Sequence, residues 1–121
     1  MTGPRVFVLE DEMLIAMLVQ DWLIELGYEP VGPAGKVHEA LDLVRNQELD
    51  AAVLDVTLGH DTCYPVADLL RAKDVPFAFA TGRDDEAIPV HLKSTPILRK
   101  PYNLHALETM LTKLLAGRTP R

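Results

Sequence analysis

Short apolar runs alternate with longer stretches of helical periodicity along this chain, and that alternation limits its fold more than any other feature. Val6-Phe7-Val8-Leu9, Ala51-Ala52-Val53-Leu54 and Phe77-Ala78-Phe79-Ala80 are continuous apolar runs of strand length. A strand covered on one face alternates apolar and polar residues, so a continuous run implies cover on both faces. Between these runs, Ile15, Val19, Trp22 and Leu26 recur at helical spacing, and Gly27 stands where that helix would stop. Val37, Leu41 and Val44 share one face of a second helix. Pro65 opens a third that turns Val66, Leu69 and Leu70 inward. The stretch from Asp84 to Leu92 predicts a short fourth helix, against which Pro89 counts. Asn103 caps a last helix with Leu104, Leu107, Leu111 and Leu114 on its buried face. Tyr102 and Leu107 are spaced for a hydrophobic staple across that cap. Weaker strand signals at Pro30-Val31-Gly32 and Ile97-Leu98 complete an expectation of five strands alternating with five helices.

This order of elements predicts an α/β fold: a doubly wound, five-stranded parallel sheet with helices on both faces and a ligand site beyond the carboxyl ends of its strands. The 121 residues suit one domain over 1–121, and a hydrophobic content of 48% supplies its core. A net charge of -6 without a basic stripe argues against nucleic acid or an anionic membrane as partner. No signal-peptide core is evident, and no apolar run approaches the roughly 20 residues of a membrane-spanning helix, so a cytoplasmic location is expected. The single cysteine, Cys63, has no partner for an internal disulfide, and no Cys/His cluster suggests zinc. Of the histidines, His38, His60, His91 and His105, none are paired at metal-ligand spacing. His60 and Cys63 fall in the loop after Asp55 and are expected to be a loop residue and an ordinary thiol.

The predicted strand ends carry the chemistry. Glu10-Asp11-Glu12 follows the first strand, Asp55 the third, Thr81-Gly82 the fourth and Arg99-Lys100-Pro101 the fifth. Each has an ordinary explanation: Asp11 or Glu12 as a helix cap, Asp55 as a turn acid, Thr81-Gly82 as a turn pair, Lys100 as a solvated lysine. Their joint occurrence at successive strand ends is harder to explain that way. Clustered carboxylates repel one another, and some are driven toward protonation unless a cation intervenes. Mg²⁺ accepts an oxygen shell of one or two carboxylates, waters and a phosphate oxygen. Such a site suits phosphoryl transfer, where the protein positions groups and neutralises charge. Asp55, the lone acid on the central strand, is the candidate nucleophile. Glu10 and Asp11 are a pair suited to the metal, and Lys100 and Thr81 can donate to phosphoryl oxygens.

With these residues in place, the chain strongly resembles the receiver domains of bacterial two-component response regulators, from about Arg5 to Leu115. The resemblance implies a flavodoxin-like (βα)5 fold with strand order 2-1-3-4-5. It implies Asp55 as the acceptor of a phosphoryl group from a histidine kinase or phosphotransfer protein. Asp11 would bind Mg²⁺ directly, Glu10 largely through water, and the backbone carbonyl of Thr57 would complete the protein ligands, with Asp55 itself on the ion. Lys100 would contact the phosphoryl group, with a cis bond to Pro101, and Thr81 would move toward it. Phe79-Ala80-Thr81-Gly82, Asp55-Val56-Thr57-Leu58-Gly59 and Tyr64-Pro65-Val66-Ala67 look like a single-domain subgroup found mainly in alphaproteobacteria and linked to stress signalling. Arg83 replaces that subgroup's usual tyrosine, and Leu98 stands where many receivers have an aromatic switch residue. Arg83 is placed to reach an aspartyl phosphate or to pair with Asp84 or Glu86.

The expected function is therefore a stand-alone receiver, not an enzyme beyond its own phosphorylation and dephosphorylation. It would act by binding an unknown downstream protein, first of all through the fourth-helix, fifth-strand, fifth-helix face, or by draining phosphate from a shared kinase. The alternative is a degenerate receiver that docks without phosphorylation. A flavodoxin-type cofactor carrier would need a phosphate-cradling loop where Glu10-Asp11-Glu12 stands. An aspartyl phosphohydrolase usually has a second acid two residues past its nucleophile, where this chain has Thr57.

Overall fold

The structure, a computed structural model, describes residues 3–83 and 87–116. Strand β1 (Arg5–Leu9) leads through helix α1 (Met13–Glu25) to β2 (Glu29–Ala34), then α2 (Val37–Asn46) to β3 (Ala51–Asp55). A small antiparallel ribbon, β4 (Thr57–Leu58) and β5 (Asp61–Thr62), precedes α3 (Tyr64–Ala72) and β6 (Phe77–Thr81). A 3-10 turn (Val90–Leu92), β7 (Ile97–Arg99) and α4 (Leu104–Leu115) complete the described fold. The main sheet has five parallel strands in the order β2-β1-β3-β6-β7, the 2-1-3-4-5 order expected.

Strand alternation sorts the apolar runs into two cores. Phe7 and Leu9 of β1, Ala52 and Leu54 of β3, and Phe77 and Phe79 of β6 face α2 and α3, packing with Ala40, Val44, Val66, Ala67 and Leu70. Val6, Val8, Ala51, Val53, Ala78 and Ala80 face the other way, onto Val19 and Leu23 of α1 and Leu107, Leu111 and Leu114 of α4. Every residue of β3 is buried, as the central position requires.

Helix α1 ends as its glycine predicts. Gly27 has φ 90, its N–H bonds to the Ile24 carbonyl at 3.0 Å, and Tyr28 N–H bonds to the Leu23 carbonyl at 2.9 Å. This double closure needs a left-handed residue, which glycine adopts without a Cβ penalty. Pro65 lies in the first turn of α3, and the Asn103 side chain accepts the Ala106 N–H at 2.8 Å to cap α4. Tyr102 and Leu107 pack into the same core on either side of that cap. Leu104 is only half-buried.

Three expectations change. The predicted helix from Asp84 to Leu92 falls partly on residues 84–86, outside the described residues. Over 87–92 there is only the 3-10 turn, whose N-cap is Pro89, a residue without the N–H that a longer helix needs. The described residues thus hold four α-helices, not five. The β4–β5 ribbon was not expected from the sequence. It turns on Gly59 with φ 63, a conformation suited to two-residue hairpin loops. Neither Asp11 nor Glu12 caps α1 with its side chain: Glu12 occupies the N-cap without a side-chain bond.

Candidate functional site

Four neighbouring strands, β1, β3, β6 and β7, present their carboxyl ends side by side. Glu10 follows β1 directly and is fixed by its N–H bond to the Ala34 carbonyl at 2.9 Å. Asp55 ends β3, Thr81 ends β6, and Lys100 follows β7 with its N–H on the Thr81 carbonyl at 2.9 Å. Because β1 connects outward to β2 while its other neighbour is β3, this edge lies at the reversal of strand order, where doubly wound sheets form a crevice.

Side chains converge there as the sequence predicts. One carboxylate oxygen from each of Glu10, Asp11 and Asp55 lies within 4.8 Å of the others. Glu10 and Asp55 are buried and Asp11 is exposed. Lys100 Nζ donates to Glu10 Oε1 at 3.1 Å and lies 3.5 Å from Asp55 Oδ2. The other Glu10 oxygen, Oε2, accepts the Glu12 N–H at 3.1 Å. Both oxygens of Glu10 are therefore engaged within the protein. Thr81, also buried, accepts the Arg83 N–H on Oγ1 at 3.1 Å. Thr57 opens the β4–β5 ribbon two residues beyond Asp55 and is exposed. The Lys100–Pro101 bond is cis, as expected.

Crowding sets the charge state. Burial pushes the Asp55 carboxyl up to about 7, and the charge of Glu10, a hydrogen bond with Glu10 and the charge of Asp11 push the same way against Lys100. Burial alone would lower Lys100, but its bond to Glu10 and the charges of Asp55 and Glu10 outweigh it and hold the ammonium above its usual range. Tyr102 is also raised, first by burial and then by the charges of Glu10 and Asp55. Among the described residues, three clustered carboxylates are thus met by one ammonium, Lys100, which pairs with Glu10 and Asp55. Their hard oxygen donors, close spacing and excess negative charge fit a small divalent cation such as Mg²⁺.

Leu98, which the resemblance places at the aromatic switch position, lies on the sheet face opposite Thr81. Leu98 pairs with Ala80 and packs with α4 on the opposite face of the sheet. Ile97 instead shares the Phe79 side, the face that alternation also assigns to Thr81. His38, His60 and His105 are exposed, His91 is paired with Asp68, and Cys63 is fully buried.

Sequence reasoning misses a surface beside the site. Met13, Leu14, Met17 and Leu18 are exposed along the outer face of α1, next to the acidic cluster in sequence. A cavity of about 290 Å³ adjoins this surface, lined by Ile15, Leu18, Val19, Trp22, Lys100, Pro101 and Tyr102. The signal was present: α1 is apolar outside the Ile15, Val19, Trp22 and Leu26 stripe, which an ordinary amphipathic helix is not.

The comparisons agree with this fold. The model of the response regulator receiver domain family matches residues 6–112, and the chain belongs to that family. Transcriptional regulatory protein PdtaR of Mycobacterium tuberculosis is 40% identical over 121 residues, an alignment that covers 88% of this chain and 59% of PdtaR. The chain thus spans little more than half of that relative. SdrG from Sphingomonas melonis Fr1, solved in solution, is 38% identical with a TM-score of 0.81, covering 96% of this chain and 99% of SdrG. SdrG has also been solved in a BeF3-activated conformation. The receiver domain of the sensor histidine kinase PA1611 of Pseudomonas aeruginosa shares the fold at 19% identity and a TM-score of 0.80, covering 95% of this chain and 99% of that domain, and it holds a magnesium ion in its active-site cleft.

Proposed function

We propose that residues 1–121 act as a single receiver that takes a phosphoryl group on Asp55 in the presence of Mg²⁺. The observation that carries this reading is the convergence of Glu10, Asp11 and Asp55 with Lys100 on one sheet edge. Asp11 and Asp55, the Thr57 backbone carbonyl and, through water, Glu10 would hold the ion. When bound, Mg²⁺ supplies neutralising charge for the phosphoryl oxygens.

The protein's own part is positional. Asp55 must be ionised to attack, and a neighbouring cation favours that form over the proton it otherwise retains up to about 7. Its oxygen forms the new O–P bond as the N–P bond of a phosphohistidine donor breaks, and the imidazole keeps the electron pair. Lys100, with its ammonium between Glu10 and Asp55, then donates to a phosphoryl oxygen, and the Thr81 hydroxyl donates to another.

The phosphodonor in this reading is a histidine kinase or phosphotransfer protein. Exposed Met13, Leu14, Met17 and Leu18 provide the apolar surface for it beside the acceptor. Output is through an unidentified protein partner or by draining phosphate, in the cytoplasm. No described helix is long and apolar enough to cross a membrane. Phe79-Ala80-Thr81-Gly82 and the 38% identity to SdrG support membership of the single-domain subgroup.

The test is intact mass after incubation with acetyl phosphate and Mg²⁺, beside Asp55→Asn. A metal-dependent adduct on the wild type alone supports the reading. Absence of both adduct and Mg²⁺ binding moves the assignment to a docking receiver that works without phosphorylation.

A further inference from the structure

One side of α1 does not close fully against the rest of the fold. Ile15, Leu18, Val19 and Trp22 recur at helical spacing and share that side. Across from them stand Lys100 and Tyr102, just after β7. Between the two lies the cavity of about 290 Å³. Val19 is buried, Ile15 and Trp22 are half-buried and Leu18 is exposed, so the cavity runs from the core to the surface. Its walls are almost wholly apolar. The rings of Trp22 and Tyr102 have centroids 6.2 Å apart and planes inclined by 55°.

An unfilled apolar space costs the fold the dispersion contacts that its lining lacks, and a molecule that fills it restores them. A cavity of about 150 Å³ is enough to hold one benzene, so this one has room for two fused rings. A planar ring also gains edge or face contact with Trp22 and Tyr102. Charge is unwelcome, because few polar atoms line the walls to pair with it. An anion would meet the field of Glu10 and Asp55 as well. That field reaches the cavity: burial first, and then the charges of Glu10 and Asp55, hold the Tyr102 hydroxyl above its usual range. The cavity also borders the acidic site directly. The same Lys100 that lines it places its ammonium 3.1 Å from Glu10 and 3.5 Å from Asp55.

We propose that this cavity is a binding site for a small, neutral, bicyclic aromatic molecule of the indole type, and that its occupant restrains Lys100 and so slows phosphorylation of Asp55. The second half rests on the phosphorylation reading above; the first half does not. A ligand packed against Lys100 and Tyr102 holds that wall in place, with the ammonium on Glu10. In the reading above the ammonium must leave Glu10 for a phosphoryl oxygen on Asp55, so a filled cavity opposes the transfer.

Trp22 is the one tryptophan of the chain, so its ring N–H gives a single, assignable signal in the nitrogen-15 spectrum of the labelled full chain. Unlabelled indole is the probe. The Trp22 signal should shift saturably, with a Kd below about 1 mM, while the α2 amides of Ala40 and Val44 stay in place. Indole-3-carboxylate should bind about tenfold more weakly, and equal affinity overturns the neutral class. Ile15→Phe fills the cavity and Leu18→Glu puts charge at its exposed rim. Indole binding about fivefold weaker in either supports the site, and binding unchanged in both overturns it. If Ile15→Phe does not fold, Leu18→Glu decides. No saturable shift of Trp22, or shifts confined to the amides of Met13, Leu14 and Met17, also overturns the site, and the cavity is then a pocket for a side chain of a docked protein. For the coupling, initial adduct formation from acetyl phosphate and Mg²⁺, read by intact mass, should fall about threefold with saturating indole in the wild type and stay level in the variant that has lost the ligand. An unchanged rate beside demonstrated binding overturns the coupling. No adduct removes the phosphorylation reading and the coupling with it, and the binding site then stands or falls on the Trp22 titration.

Discussion

Lys100 is bonded to Glu10 at 3.1 Å and stands farther from Asp55, at 3.5 Å. The ammonium is thus kept on the acid that is not the proposed acceptor, close enough to shift when charge appears on Asp55. Lys100→Met should expose what this arrangement supports. Glu10 would be left buried without its cation, and Asp55 would lose the one neighbour that favours its charge. The expected loss is about 1–3 kcal/mol in urea unfolding at neutral pH, the range for stranding a buried hydrogen-bonding group. Adduct formation with acetyl phosphate should fall as well. An unchanged unfolding midpoint would mean that Glu10 finds another partner.

The raised Asp55 carboxyl makes a pH prediction with a definite sign. Its folded value is about 7 against an ordinary 3.8. Between those values the folded protein holds a proton that the unfolded chain has released. Stability of the metal-free protein therefore falls as pH rises across that window and levels off above about 7. Asp55→Asn should be stabilising by about 1–3 kcal/mol at pH above this window and close to neutral below it, since a pKa difference of one is worth about 1.4 kcal/mol and Lys100 and solvent discount the total. Urea midpoints at both ends of the window, with and without Mg²⁺, check this. Magnesium should shrink the difference between the two proteins at the high end.

The docking role proposed for the outer face of α1 can be tested apart from the chemistry. Leu14→Lys/Met17→Lys alters exposed side chains, so stability should stay within about 0.5 kcal/mol. Phosphotransfer from a donor protein should drop about tenfold, a loss of about 1.4 kcal/mol, while acetyl phosphate, which needs no docking, should react as before. Equal loss with both donors would place the effect in the site itself.

Two substitutions at helix ends test the local structure. Gly27→Ala meets open space, with nothing within 4 Å of the new Cβ, yet φ 90 should cost about 1–2 kcal/mol. Asn103→Ala removes the α4 cap and should cost about 1 kcal/mol. Thermal or urea unfolding of each variant checks the size.

Much of the fold was legible because the strongest signals were local. Val6 to Leu9 and Phe77 to Ala80 could be assigned as doubly covered strands from composition alone, and Gly27 and Asn103 marked helix ends by their own chemistry. The site residues could be collected from the sequence because each follows a strand directly. What failed was non-local. Over 87–92 Pro89 already counted against a helix, but that the carbonyls of Ala87 and His91 go to α3 side chains brought in from elsewhere in the chain could not be read locally. Leu98 was misplaced because a strand's neighbours identify its two faces only once register is known: pairing with Ala80 sends it to α4 and leaves Ile97 on the other side.

The alternation of elements, the parallel sheet and the set of acids, hydroxyl and ammonium at the strand ends follow from neighbours along the chain and were legible without coordinates. How those groups share charge was not. The pairing of Lys100 with Glu10, the proton retained by Asp55 and the exposed row on α1 all depend on distances and burial between residues far apart in sequence, which local patterning does not encode.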